Sequence, residues 1–143
     1  MGCSWSSESR NVSQLLEDAA SDAPRYETRT GTILARVVDV YDGDTFTILL
    51  VSEGIVYRRR CRCLGYDAPE MRGVNAEKDR AIAARDHLAK VLPKGVFSLD
   101  FSGTDKYGRL LVTCRVGRDE RLDEHMIRHG HGYAYHGGRK RTP

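Results

Sequence analysis

The chain lacks the features that mark membrane-spanning and secreted proteins. No apolar run approaches the length of about 20 residues that crosses a bilayer. The first residues contain no apolar signal-peptide segment either. These absences predict a protein that is made and kept in the cytosol.

Cysteines are too few and too irregularly spaced for a disulfide framework. The 4 cysteines form no C-x-x-C pair, the spacing that makes a zinc site recognisable. Cys61, Cys63 and Cys114 lie in apolar, strand-like stretches, which predicts small core residues in a reducing compartment. A weaker alternative is a zinc site in which Cys61 and Cys63 join two histidines at i, i+4 spacing, His125 and His129.

Length and composition indicate one globular domain with short tails. An apolar fraction of 40% and a charged fraction of 30% are ordinary for such a protein, and 143 residues suffice for one core but not for two. The net charge of +3 excludes little, but basic residues cluster at 58–62 and 139–141. Such patches fit a polyanionic partner, although a run of charge is more often a solvated surface.

The first residues match a lipidation pattern. The sequence MGCSWS places Gly2 at the acceptor position for myristate, with a serine where the pattern requires one. Cys3 is then a natural second acylation site, and two chains hold a protein stably on a membrane. We predict that residues 1–29 form a flexible arm that anchors the protein to the cytosolic face of a membrane, with a weak helix at 12–20. A serine-rich start without this role is the alternative.

Alternation of apolar residues and turn signals predict a small barrel across residues 30–138, followed by a basic tail at 139–143. Asp42-Gly43 is a strong hairpin signal, and Asn75 is the expected cap of a helix whose inward residues include Ile82 and Leu88. The predicted order is strands at 33–41, 45–51 and 55–65, a helix at 76–92, strands at 96–101 and 110–116, and a helix at 122–129.

This order is typical of an α+β OB-fold, a five-stranded β-barrel with a helix between strands 3 and 4 and a short C-terminal helix. A small α+β sandwich has the same order of elements and stays open as an alternative.

Three short motifs carry residues suited to work on phosphate: DGDT at 42–45, RCLGYDAPE at 62–70 and DKYGR at 105–109. Carboxylates are hard oxygen ligands for calcium or magnesium, and arginine forks stabilise phosphate oxygens better than lysines do. Each motif taken alone is also an ordinary polar turn. An EF-hand beginning at Asp42 is excluded because Thr47 stands where that loop needs glycine.

Together and in this order, the motifs resemble those of the staphylococcal (thermonuclease-type) nuclease family, over about residues 33–135. The resemblance implies an OB-fold enzyme that hydrolyses DNA and RNA phosphodiesters with calcium, magnesium being less favoured. It also implies metal ligation by Asp44, by Asp67 and by the backbone carbonyl of Ala68, which stands where the family often has threonine.

The same resemblance implies the remaining roles in the site. Glu70 would activate or orient the attacking water, while Arg62 and Arg109 would stabilise the charge of the transition state. Substrate contacts are implied for Lys106, Tyr107 and a tyrosine after the last helix, either Tyr133 or Tyr135.

The expected partner is DNA or RNA, and no protein partner is predicted, so a monomer is expected. One alternative is an OB-fold module that binds nucleic acid without cutting it. A second is a lipid-anchored adaptor whose basic patches contact anionic lipid. The nuclease is favoured over a non-cutting module because none of the implied catalytic residues is missing.

Overall fold

The computed structural model describes residues 3–19, 30–73 and 77–135. Gly2, the predicted cap Asn75 and the basic tail lie outside these ranges. Helix α1 spans Cys3–Asp18, so helix begins well before the predicted stretch, and its residues 11–18 are exposed. Among the described helices, none combines the length and apolar character needed to traverse a bilayer.

Five strands close a barrel in the order β1-β2-β3-β6-β5. Their bounds are β1 Thr30–Asp42, β2 Thr45–Ser52, β3 Ile55–Cys63, β5 Val96–Thr104 and β6 Leu110–Thr113, and β4 is the short strand Gly65–Asp67. The long strand β1 pairs with β2 and also with β5, which closes the barrel, while β3 and β6 run parallel. Together with α2, Lys78–Val91, this arrangement confirms the predicted α+β OB-fold.

Two predicted strands are divided in the structure. The stretch 55–65 bends after β3, because Gly65 adopts the left-handed conformation (φ 94°) that glycine tolerates best. The bend directs β4 away from the barrel to pair with β9, Tyr133–Tyr135. The stretch 110–116 is likewise split, into β6 and a short strand β7 at Arg115–Val116. Strand β7 pairs with β8, which spans Glu120–Arg121. Helix α3 follows at Leu122–Arg128.

The core fills the barrel and the space beneath α2. Phe46, Ile48 and Leu99 are fully buried in it. The prediction that three cysteines are core residues is confirmed, because their thiols are free and buried: Cys61, Cys63 and Cys114.

The inward face of α2 is only partly the one that its larger apolar residues indicate. Its buried residues are Ala81, Ala84 and Leu88, whereas Ile82 is only half-buried. Small residues here let the helix approach the barrel closely, which a pattern of large side chains does not reveal.

Candidate active site

Asp44 reaches the site from the turn between β1 and β2. Asp42 pairs with Thr45 across this hairpin, which leaves Gly43 and Asp44 as its two turn residues. Asp44 is buried, and its carboxylate accepts hydrogen bonds from the backbone N–H of Ala68 (2.8 Å) and the Thr45 hydroxyl (3.1 Å). It is therefore fixed between the hairpin and the loop that follows β4.

Gly43 is required by close packing rather than by an unusual backbone conformation. A Cβ at this position would lie 2.7 Å from the Cβ atoms of both Ala68 and Ala84. Real Cβ atoms do not approach one another so closely, so any side chain would push the turn away from α2 and from the loop. The Tyr66 hydroxyl donates a hydrogen bond of 2.7 Å to the Gly43 carbonyl and fixes the turn from its other side.

Asp67 is the last residue of β4. Its carboxylate and that of Asp44 both contact the guanidinium group of Arg62. Arg62 donates a hydrogen bond to the Asp67 carboxylate and forms an ion pair of 3.0 Å with Asp44. It also donates to the carbonyls of Cys63 (3.0 Å) and Tyr66 (3.1 Å). The three charged side chains are only 13%, 9% and 7% exposed for Arg62, Asp44 and Asp67. Burial alone would lower the pKa of Arg62, but the two carboxylates outweigh it and raise that pKa.

This donor set fits a divalent cation. Two nearly buried carboxylates contact the same guanidinium, so both face one region of the site. All of these side-chain donors are carboxylate oxygens, the type that calcium prefers.

A third carboxylate stands beside them and was interpreted from the sequence only as a turn residue. Asp42 accepts a hydrogen bond of 3.0 Å from the backbone N–H of Asp44 and lines the same cavity. Burial, and then the charge of Asp44, raise the pKa of Asp42 to about 6. The D-x-D spacing at 42–44 was the available signal.

Arg109 is held in place by Asp105, a role of Asp105 that the sequence did not reveal. Asp105 accepts the backbone N–H groups of Tyr107 and Arg109 at 2.9 Å and the Arg109 Nε at 2.7 Å. Partial burial raises the pKa of Asp105, but these hydrogen bonds outweigh it and lower the pKa overall. Arg109 Nη1 also donates to the Thr45 hydroxyl at 3.4 Å, which links the 105–109 turn to the Asp44 hairpin.

These groups surround one cavity of about 1070 Å³. The half-buried Glu70 also lies on its wall, and its backbone carbonyl accepts the N–H of Glu77 at 3.0 Å, just before α2. Of the residues predicted for catalysis, metal or substrate, those lining the cavity are Asp44, Arg62, Asp67, Ala68, Glu70, Lys106, Tyr107, Arg109 and Tyr135.

The two candidate tyrosines differ in position. Tyr135 lines the cavity, whereas Tyr133 does not. The Tyr133 ring lies near the guanidinium of Arg80, whose Cζ is 5.8 Å from the ring centroid. Its hydroxyl is buried and has no hydrogen-bond partner within the described residues.

The weaker zinc alternative is not assembled as predicted. Among the described residues, the histidines His125 and His129 group with His87, and neither Cys61 nor Cys63 belongs to that group. Both thiols instead lie in the barrel core, where burial raises their pKa values and keeps them protonated.

A closed OB-fold barrel belongs to a class of proteins that includes many nucleic-acid binders, and here carboxylates and arginines line one of its cavities. The family described as Staphylococcal nuclease homologue matches residues 60–142, more than half of the chain. The chain belongs to this family. Its function is accordingly nuclease-like or otherwise related to nucleic acid. No curated protein matched the chain.

The family match begins at Arg60 and so does not include the hairpin that carries Asp44. The contacts of Asp44 with Arg62 and with the Ala68 backbone are what connect that carboxylate to the matched region.

Proposed function

We propose that the protein is a calcium-dependent nuclease that hydrolyses phosphodiester bonds in DNA or RNA. The observation that carries this proposal is the meeting of two arginines, two nearly buried aspartates and Glu70 around one cavity. A module that only binds nucleic acid has no need of buried carboxylates beside its phosphate site, since carboxylates repel phosphate.

The carboxylates of Asp44 and Asp67 would hold the calcium ion, together with the backbone carbonyl of Ala68. When bound, the ion would offset the negative charge that gathers on the phosphate oxygens during hydrolysis. Asp42 would add a third negative charge beside the ion without being required as a ligand.

The two arginines are prepared for different moments of the reaction. Asp105 holds the Nε side of Arg109 at the cavity wall, so this guanidinium is already positioned for a phosphate. Arg62 is bound to Asp44 and Asp67. It can turn to a phosphate only when another cation takes over those carboxylates, so metal would bind before Arg62 engages the substrate.

Glu70 would orient and deprotonate the attacking water. It is half-buried on the wall that also carries the two aspartates. A positioned carboxylate that accepts a proton in this way typically contributes a rate factor of about 10²–10⁴.

The rim of the cavity suits a nucleic-acid strand. Tyr107 is 72% exposed, and its ring centroid lies 5.1 Å from Lys106 Nζ and 5.4 Å from Arg109 Cζ. An exposed aromatic ring can stack on a base while neighbouring cations contact the backbone phosphates. Tyr135 forms another part of the wall.

The test compares cutting and binding of single-stranded DNA and of RNA, with calcium and then with chelator. We expect calcium-dependent cleavage of at least one substrate. Glu70→Gln should lower turnover about 10²-fold or more while keeping salt-sensitive binding. Glu124→Gln, the same substitution on the exposed face of α3, is the matched control and should cut like the wild type.

Two results would count against the enzyme. A wild-type protein that binds DNA or RNA but leaves both intact with calcium would establish the non-cutting alternative. Equal turnover in Glu70→Gln and Glu124→Gln would remove the role proposed for Glu70.

A further inference from the structure

Four of the 5 histidines in the sequence lie together outside the candidate active site. His87 is on α2, His125 is on α3, and His129 and His131 follow α3 directly. Ring centroids are 5.1 Å apart for His87 and His125, 4.3 Å for His125 and His129, and 4.5 Å for His87 and His131. Unlike the cavity, this cluster offers nitrogen rather than oxygen donors.

The donor atoms of three of these rings converge. One ring nitrogen from each of His87, His125 and His129 lies within 4.8 Å of the other two, and the Nε2 atoms of His87 and His125 are 2.9 Å apart. Around a tetrahedral zinc ion with bonds of about 2.0–2.1 Å, ligand nitrogens lie about 3.3 Å apart. Small ring rotations would therefore bring the three nitrogens to that spacing.

We propose that His87, His125 and His129 bind a divalent transition-metal ion, zinc foremost, with water at the fourth position. Imidazole nitrogen suits zinc, copper and nickel, whereas calcium and magnesium prefer oxygen. The site is thus chemically distinct from the carboxylate cavity and independent of the proposed nuclease activity.

A neighbouring carboxylate fixes the orientation of His125. Its Nδ1 lies 2.9 Å from Glu120 Oε2, and because a carboxylate only accepts, Nδ1 carries the proton and Nε2 is left as the ligand atom. Arg128 in turn donates to both oxygens of Glu120, at 2.6 and 2.8 Å. Histidines that bind metals commonly have such a carboxylate behind them.

The surroundings of His87 favour its uncharged form, the state in which imidazole binds metals. Burial, then the neighbouring histidines and Lys90, lower the pKa of His87 to about 4. The pKa of His131 is lowered by burial and by His129 and His125. Glu120, the carboxylate that contacts His125, is itself paired with Arg128.

Such an ion would join two parts of the fold. His87 belongs to α2, which packs on β1, while α3 packs on β4, the strand that ends in Asp67. A metal bridge between residues 87 and 125–129 would stabilise the folded chain by an amount that grows with the logarithm of the ion concentration divided by its Kd.

The experiment titrates the full chain with zinc alone, in buffer that already contains excess calcium to fill the oxygen-ligand cavity. At a zinc concentration 100 times the Kd, the unfolding temperature should rise by about 5–10 °C. His129→Gln is the main variant, because His129 is exposed and its loss should not prevent folding. It should weaken zinc binding about 100-fold or more, and cobalt should lose its tetrahedral visible spectrum in this variant.

Two further variants sharpen the test. Glu120→Gln should weaken zinc binding about 10–100-fold, the usual effect of losing a carboxylate behind a ligand. His131→Gln removes a histidine of the same cluster that is not in the converging group and should bind zinc like the wild type. The proposal is overturned if calcium-loaded wild type shows no zinc shift, if His129→Gln keeps it, or if His131→Gln abolishes it.

Discussion

Replacing Arg62 by glutamine should tighten calcium binding while nearly abolishing nuclease turnover. The Arg62 guanidinium forms ion pairs with both Asp44 and Asp67. A calcium ion that binds the same carboxylates must displace at least part of these contacts. Glutamine removes the competing charge, so the ion meets two carboxylates that no cation holds.

The size of the effect follows from the contacts that are lost. A hydrogen bond to a charged group contributes about 1.5–3 kcal/mol, and these groups are at most 13% exposed, so water screens them little. Relief of one such contact corresponds to calcium binding about 10–100-fold tighter. The metal-free variant should meanwhile lose about 3–5 kcal/mol of stability, because two buried carboxylates lose their partner.

Calorimetric titration with calcium and thermal unfolding with and without calcium measure both effects. Arg109→Gln is the matched control, because the Arg109 side chain is bound to Asp105 and Thr45. We expect Arg109→Gln to bind calcium within about threefold of the wild type, well short of the shift of one contact, while turnover falls. If Arg62→Gln binds calcium no more tightly than the wild type, the guanidinium does not compete with the ion and the proposed order of binding is refuted.

Three other substitutions test separate parts of the description. Asp42→Asn should raise the free energy of unfolding of the metal-free chain by about 1–3 kcal/mol at pH 7. Burial and Asp44 raise the pKa of Asp42 to about 6 from an ordinary 3.8, so Asp42 takes up its proton in the folded wild type before it does in the unfolded chain as pH falls. The difference in unfolding free energy between variant and wild type should therefore vanish below about pH 4. Denaturant unfolding that gives the same difference at pH 7 and below pH 4 would contradict this. Asp105→Asn should lower kcat about tenfold with little change in KM, because Arg109 loses an ion pair of 2.7 Å; steady-state kinetics in which KM alone changes would be the opposite result. Gly2→Ala should release the protein from the membrane fraction if Gly2 is acylated as predicted, and an unchanged distribution on fractionation would remove the anchor.

The fold was predictable because its elements are signalled locally. The alternation of apolar and polar residues along β2 and the turn residues on either side are local features of the sequence. They predict the strand position within a few residues. Helix α2 was equally clear as an element. Its buried face was not, since the small residues Ala81 and Ala84 face inward only because of what lies opposite them.

The candidate site was predictable as a set of residues but not as an arrangement. Motif order pointed to Arg62 and Arg109, but nothing in the sequence indicates that Arg62 bridges two aspartates or that Asp105 holds Arg109. The spacing of His125 and His129 indicated a possible metal pair, but their partner His87 was missed for the same reason. His87 lies 38 residues before His125, and only the packing of the folded chain brings their rings together.

The absence of a side chain at residue 43 has a consequence for how this protein can vary. A Cβ at Gly43 would lie 2.7 Å from the Cβ atoms of Ala68 and Ala84, so these three positions leave no room for a methyl group at residue 43. A larger side chain at any of the three positions would move Asp44 relative to its partners, Arg62 and the backbone of Ala68. Substitutions on the buried side of a helix that never touches substrate would thus alter ion affinity, and tolerated changes at these three positions should occur together.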